Sequence, residues 1–292
     1  MNGLFFTLFA SLVVVLQVSA SPLHFHLHQR GASVEGNATS TESEATCATF
    51  GYTGINGPLG WAGLSPDNAL CSTGTSQSPI NFNAQIKKAS ANPTVWMPDG
   101  FGDFENLGTT VEVSQVGKTT FEGKVYNLQQ FHFHTPSEHR IEDETFPLEV
   151  HFVHAADDGA GLVLGAVFDI TPTGATTEFV HTLGQEVEKI PKAGDKTQVH
   201  GLKLGKIVEA FQTGPLFTYS GSLTTPPCSE GITWVFAQNP LPIDVKSYLA
   251  FKNVIKFNAR FTQNNSGEKN LIDIAATQIG PQFKATQVSE AI

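Results

Sequence analysis

The chain has 292 residues, 40% of them hydrophobic and only 15% charged, so it can bury a sizeable core and is too apolar for a disordered chain. Lys and Arg number 17 against 27 Asp and Glu, a formal charge of −10 that speaks against a nucleic-acid partner. Gly 27 and Pro 16 suit a turn-rich β protein and are too few for a collagenous one.

Residues 1–20 carry no charged side chain, and the run from Leu4 to Val18 is almost unbroken apolar sequence. Val18-Ser19-Ala20 supplies the small residues of a cleavage site, so the segment reads as a secretory signal peptide cut after Ala20. The run is short for a membrane span, no other stretch is long enough for one, and no hydrophobic C-terminal tail suggests a lipid anchor. The expectation is a secreted, extracellular protein without a membrane partner. Asn37 and Asn264 open Asn-x-Ser/Thr sites and are candidate glycosylation acceptors.

Residues 21–46 hold Ser, Thr, Glu and Ala with few large apolar side chains after Leu27, and read as a flexible leader or propeptide. His24, His26 and His28 alternate there, with nothing nearby to hold them rigid. One domain is expected from 47 to 292, since no linker or repeat interrupts it.

Within that domain, alternation predicts strands at 110–114, 130–134, 148–153, 162–168 and 232–236. Weaker helical periodicity marks 177–188, 206–211 and 245–257. The fold expected is mostly β (α+β): a single domain with a large, mainly antiparallel twisted sheet and short peripheral helices. The three cysteines, Cys47, Cys71 and Cys228, allow one disulfide and one leftover thiol in an oxidising compartment; composition does not say which two pair.

The chemistry-bearing stretch is Gln130-Phe131-His132-Phe133-His134. Side chains at i and i+2 of a strand share a face, so His132 and His134 project together while the two phenylalanines pack behind them. His-x-His alone also arises as ordinary polar-face sequence. A second strand adds His151, with Glu149 two residues before it on the same side. Three nitrogen ligands would leave one tetrahedral position open, the arrangement of a catalytic zinc, and no cysteine is close enough in sequence to suggest a thiolate site.

Together with Ser137-Glu138-His139, Glu149 to His154 and Tyr219 to Glu230 (Tyr-Ser-Gly-Ser-Leu-Thr-Thr-Pro-Pro-Cys-Ser-Glu), the sequence resembles an α-class carbonic anhydrase. Tyr52, Asn56-Gly57-Pro58, Trp61, Gln77-Ser78-Pro79-Ile80-Asn81 and Asn258-Ala259-Arg260 extend the resemblance from about residue 50 to 260. It implies Zn2+ held by His132, His134 and His151. It also implies reversible hydration of carbon dioxide to bicarbonate and a proton, by hydroxide made available on the metal.

By the same resemblance Gln130 orients His132, Glu149 orients His151, and the Asn258 carbonyl receives the other N–H of His134. His139 and His154 support the structure instead of binding zinc. Thr224 accepts a hydrogen bond from the nucleophile and passes its own proton to Glu138. Val153, Val163, Leu223, Ile232 and Trp234 form the apolar wall where carbon dioxide rests, and Thr225 helps to hold substrate. Extracellular members bridge the regions of Cys71 and Cys228. Cys47 is then left over, either free or linking two chains into a homodimer.

The chain departs from the family pattern where many fast members place a proton-shuttling histidine. Thr109 stands there, and no histidine occurs between His28 and His132. Proton exit is therefore expected to lean on buffer or on Glu112 at the rim, with a folded-back His24/His26/His28 tail as a weaker alternative. Two other functions use the same residues: a non-catalytic carbonic-anhydrase-like binding module, and ester hydrolysis. Binding-module relatives usually lose a zinc ligand; here all three histidines, Glu138 and Thr224 are present.

Overall fold

A computed structural model describes residues 50–279. The expected signal peptide and leader, with His24, His26, His28, Asn37 and Cys47, lie outside the described residues.

Thirteen strands form in chain order among the described residues: β1 (Asn81–Phe82), β2 (Thr94–Trp96), β3 (Gly100–Asn106), β4 (Val111–Ser114), β5 (Lys118–Phe121), β6 (Lys124–His134), β7 (Arg140–Ile141), β8 (Leu148–Ala155), β9 (Gly161–Ile170), β10 (Lys196–Leu202), β11 (Leu216–Ser222), β12 (Glu230–Ala237) and β13 (Leu241–Ile243). Eleven of them make one sheet, ordered β10-β3-β4-β6-β8-β9-β12-β11, with β13 on β9 and the β2-β5 pair on β6. Its pairs are antiparallel except at β9, which receives β12 and β13 in parallel. The expected mainly antiparallel sheet is therefore present, as a mixed one.

Each expected strand falls on β4, β6, β8, β9 or β12. The continuous apolar run of β9 is buried over its first eight residues, as suits a strand covered on both faces. On β8, Leu148, Val150 and Phe152 enter the main core, and His154 points the same way, bonded to Thr119 and to the Phe152 carbonyl. Glu149, His151 and Val153 take the opposite face.

β6 carries a bulge at Gln129, between the pairs Leu128–His154 and Gln130–Val153. Before it, even-numbered Tyr126 and Leu128 face the core; after it, odd-numbered Phe131 and Phe133 do. The extra residue thus swaps the faces and turns Gln130, His132 and His134 away from the core.

Helices lie around the sheet: α1 (Leu70–Thr73), α2 (Glu178–Val187), α3 (Gly205–Thr213), α4 (Val245–Ile255) and α5 (Leu271–Ile274). In α2, Phe179, Val180, Leu183 and Val187 form the buried stripe. Gly184 lets α4 approach closely, because a Cβ there would meet the Ser247 backbone at 3.3 Å. Asp244 caps α4 through the Ser247 N–H at 2.8 Å. The helix stops at Ile255, two residues short of the expected end, where Lys256 turns to φ 67°.

Cys71 and Cys228 are bridged. Both are fully buried beside Trp61. No helix of the described residues is long and apolar enough to cross a membrane.

Candidate metal centre and active site

The registers His132 opposite His151 and His134 opposite Glu149 place three imidazoles on neighbouring strands facing one side. One ring nitrogen from each of His132, His134 and His151 lies within 4.8 Å of the others. The remaining ring nitrogens are committed. His132 Nδ1 meets Gln130 Oε1 at 2.8 Å, and His134 Nδ1 meets the Asn258 carbonyl at 2.8 Å. His151 Nε2 meets the Glu149 carboxylate.

Each of these acceptors demands an N–H, which leaves His132 Nε2, His134 Nε2 and His151 Nδ1 as lone pairs. His134 Nε2 is buried with no hydrogen-bond partner. An orphaned buried acceptor pointing at two more is what a divalent cation would satisfy, and an all-nitrogen set of three suits zinc. Burial pushes His132 well below the ordinary histidine range, helped by His134 and His151. Burial likewise pushes His151 down to about 4. Both rings are thus held neutral, the form that binds a metal.

Glu149 is fully buried, and burial alone would raise its pKa. His139 and His151 outweigh this and hold the carboxyl well below the usual range. Its Oε2 accepts the main-chain N–H groups of Glu138 and His139, each at 2.8 Å, and its Oε1 meets His139 Nδ1 at 2.7 Å. His139 Nε2 continues to the Tyr219 hydroxyl at 2.7 Å, and Tyr219 to Ser78 Oγ at 2.8 Å. A polar chain inside an aromatic cluster therefore backs His151. The sequence reading gave no role to Tyr219 or Ser78, although both lie in motifs it singled out, because partners 80 and 141 residues apart leave no local pattern.

Glu138 is buried beside Thr224, itself 5% exposed. The Thr224 hydroxyl interacts with the Glu138 carboxyl, while Oε2 of that carboxyl has no fully formed hydrogen bond among the described residues. Oε1 accepts the Arg260 main-chain N–H at 2.9 Å. Burial pushes the Glu138 pKa up; His134, the Thr224 hydroxyl and the Arg260 N–H oppose this.

Val163, Ile232 and Trp234 are buried in one apolar cluster, against which Val153 and Leu223 pack. Thr225 lines a cavity of about 220 Å³ together with Thr109, Glu112, Gln130, His132 and His134. Phe50, Tyr52 and Leu107 complete part of its wall, and the sequence reading gave none of the three a role. Thr109 is half-buried, and its carbonyl accepts Asn258 Nδ2 at 3.0 Å. Glu112 lies across from His132 on β4, and burial, with Glu105 nearby, pushes its carboxyl up to about 7. A larger groove of about 560 Å³ runs past Glu138 and Arg260, but none of the three histidines borders it. Asn264 is half-buried and donates its amide to the Lys269 carbonyl at 2.7 Å.

The family described as eukaryotic-type carbonic anhydrase matches residues 56–272. A carbonic anhydrase of Pectobacterium carotovorum is 35% identical over 227 residues, covering 76% of this chain and 88% of that protein. The fungal α-carbonic anhydrase structure from Aspergillus oryzae superposes with a TM-score of 0.75 at 40% identity, over 78% of this chain and 99% of that one. The α-carbonic anhydrase of Thermovibrio ammonificans, solved with the inhibitor sulfanilamide, gives a TM-score of 0.68 at 32% identity, over 76% and 97%. The chain therefore belongs to the α-class carbonic anhydrases. Its enzymatic activity is the carbon dioxide hydration that defines them.

Proposed function

We propose that the chain hydrates carbon dioxide at a zinc ion held by His132 Nε2, His134 Nε2 and His151 Nδ1. The observation that carries this reading is the set of three convergent ring nitrogens, each freed by a hydrogen bond on the opposite nitrogen. A zinc ion held there would supply a nucleophile at neutral pH, by lowering the pKa of water to about 7.

The chain's own residues do the rest. Gln130, Glu149 and the Asn258 carbonyl hold the imidazoles in one tautomer and orientation. Thr224 commits its proton to Glu138 and keeps only lone pairs, so it accepts from the nucleophile and aims it. Val153, Val163, Leu223, Ile232 and Trp234 present an apolar surface suited to a small neutral gas. Thr225, at the cavity wall, helps to hold substrate.

Thr109 does not titrate near neutral pH, so the proton leaves through buffer or through Glu112, the carboxyl in the cavity wall. The buried Cys71–Cys228 bridge supports the reading of residues 1–20 as an export signal, since such bonds persist in oxidising compartments.

The test compares carbon dioxide hydration with ester hydrolysis on one preparation, beside Thr224→Ala. Hydration should dominate and fall roughly 100-fold in the variant, the cost of a misplaced nucleophile. Ester hydrolysis exceeding hydration would replace this reading with that of an esterase. Zinc binding without either activity would leave a binding module.

A further inference from the structure

Arg260 belongs neither to the three histidines nor to the apolar wall, yet the residue is only 1% exposed. A buried guanidinium is an expensive group to keep, and no carboxylate lies within ion-pair distance of it among the described residues. Its hydrogen bonds go to neutral acceptors: Nη1 donates to the Ser78 carbonyl at 2.7 Å, and Nη2 to Gln77 Oε1 at 2.9 Å and the Cys71 carbonyl at 3.2 Å. The group also lies over the Trp61 ring, 5.7 Å from its centre.

We propose that Arg260 is a positioning residue that fixes the Thr224 hydroxyl against the Glu138 carboxylate. The inference rests on the reading of Thr224 and Glu138 as a proton relay. Two paths leave Arg260 and end on the two halves of that relay. The first is direct: its main-chain N–H donates to Glu138 Oε1 at 2.9 Å.

The second runs through the 71–78 segment that its guanidinium grips. Gln77 Nε2 donates to the Cys228 carbonyl at 3.0 Å, and Cys71 is bonded to Cys228 itself. Ser78 and Ser222 exchange two hydrogen bonds, each main-chain N–H donating to the other's hydroxyl at 2.9 Å. Both ends of the loop bearing Thr224 are thus held by the 71–78 segment. The guanidinium ties that segment to the residue whose amide holds Glu138. Two residues earlier, Asn258 lends its carbonyl to His134, so the same stretch also orients a proposed ligand.

The chemistry explains why arginine stands here. A planar fork can serve three carbonyl-type oxygens at once and lie flat on an indole; an ammonium group is a point donor. Arg260→Lys should therefore keep part of the effect, whereas Arg260→Met fills the space, makes none of the guanidinium's bonds and leaves only the main-chain N–H on Glu138.

The experiment measures kcat for carbon dioxide hydration, zinc per chain, melting temperature, and the dissociation constants of sulfanilamide and azide. Sulfanilamide offers an N–H to an acceptor at Thr224, and azide does not. With the relay fixed, the enzyme discriminates between them. Arg260→Met should lower kcat by about 100-fold and Arg260→Lys by about 10-fold at one zinc per chain. The sulfanilamide-to-azide affinity ratio should collapse in the same order. A purely structural role would lower the melting temperature and leave that ratio where it was, which would overturn the proposal.

If Arg260→Met does not fold, Gln77→Met removes one link of the second path, that from Arg260 Nη2 to the Cys228 carbonyl, and is read in the same way. Thr224→Ala serves as the reference. If it abolishes both discrimination and turnover while the Arg260 and Gln77 variants change neither, only this inference falls. If Thr224→Ala is itself silent, the relay reading falls and takes the inference with it.

Discussion

The Nδ1–H of His134 donates to the main-chain carbonyl of Asn258 at 2.8 Å, while its Nε2 is buried with no hydrogen-bond partner. Asn258 is in turn held by its own amide: Oδ1 accepts the Thr135 N–H at 2.8 Å, and Nδ2 donates to the carbonyls of Phe133 at 2.8 Å and Thr109 at 3.0 Å. The residue whose main-chain carbonyl aims a proposed ligand is thus braced, through its side chain, by the strand and turn beside it. Asn258→Asp would set a carboxylate against two carbonyls and remove that brace. Zinc affinity should fall roughly 10- to 100-fold, measured by competition with a chromogenic chelator. Unchanged affinity would mean that the Asn258 carbonyl does not orient His134.

The proton route makes a second prediction. In weak buffer, turnover should be limited by proton exit and should rise with added imidazole. Thr109→His should raise the weak-buffer rate several-fold and leave the concentrated-buffer rate alone. A carboxyl at about 7 gains its proton-accepting form as pH rises, so any share carried by Glu112 should grow through about pH 7. Glu112→Gln should remove that rise. Equal turnover in weak and concentrated buffer would contradict the idea that proton exit is slow.

The Cys71–Cys228 bridge closes a sequence separation of 157 residues. Loop entropy predicts that Cys71→Ser with Cys228→Ser loses about 4–5 kcal/mol of stability. Denaturant unfolding with and without reductant measures it directly. Because the bridge also braces the Thr224 loop, activity should fall before zinc is lost. Coincident unfolding midpoints for the reduced and oxidised protein would contradict this.

His154 supplies an acid-sensitivity prediction. Its Nδ1 donates to the Phe152 carbonyl at 2.9 Å, so Nε2 must accept from Thr119 Oγ1 at 3.0 Å and the ring is neutral. Burial pushes its pKa down to about 4. As pH falls below the unfolded value of roughly 6.5, the unfolded chain takes up a proton that the folded ring refuses until about 4. Stability is therefore present above about 6.5 and is lost through that window, by on the order of 3 kcal/mol. His154→Gln should flatten the slope of stability against pH between 4 and 6.5. An unaltered slope would show that His154 is not the group responsible.

Much of the site could be read from the sequence because strand periodicity is local. His132 with His134, and Glu149 with His151, share faces by counting twos, while the helices at 178 and 245 show only as weaker stripes, the second read two residues too long. The bulge at Gln129 could not be read, since it shows only when Leu128 and Gln130 find partners on β8. The parallel pairing of β12 and β13 on β9 is equally invisible along the chain. The Cys71–Cys228 pairing came from resemblance, because three cysteines leave the choice open. Arg260 sat in a noted motif without a role, since its partners Cys71, Gln77 and Ser78 lie more than 180 residues away.

The central claim is that three histidines hold one zinc on which hydration depends. Its most direct test is zinc counted per chain beside stopped-flow carbon dioxide hydration, on the wild-type chain and on His134→Ala. The wild type should carry one zinc per chain and turn over. The variant should lose both together, while keeping the far-ultraviolet signature of the sheet. Full turnover by a zinc-free wild type, or by His134→Ala with its metal gone, would contradict the account.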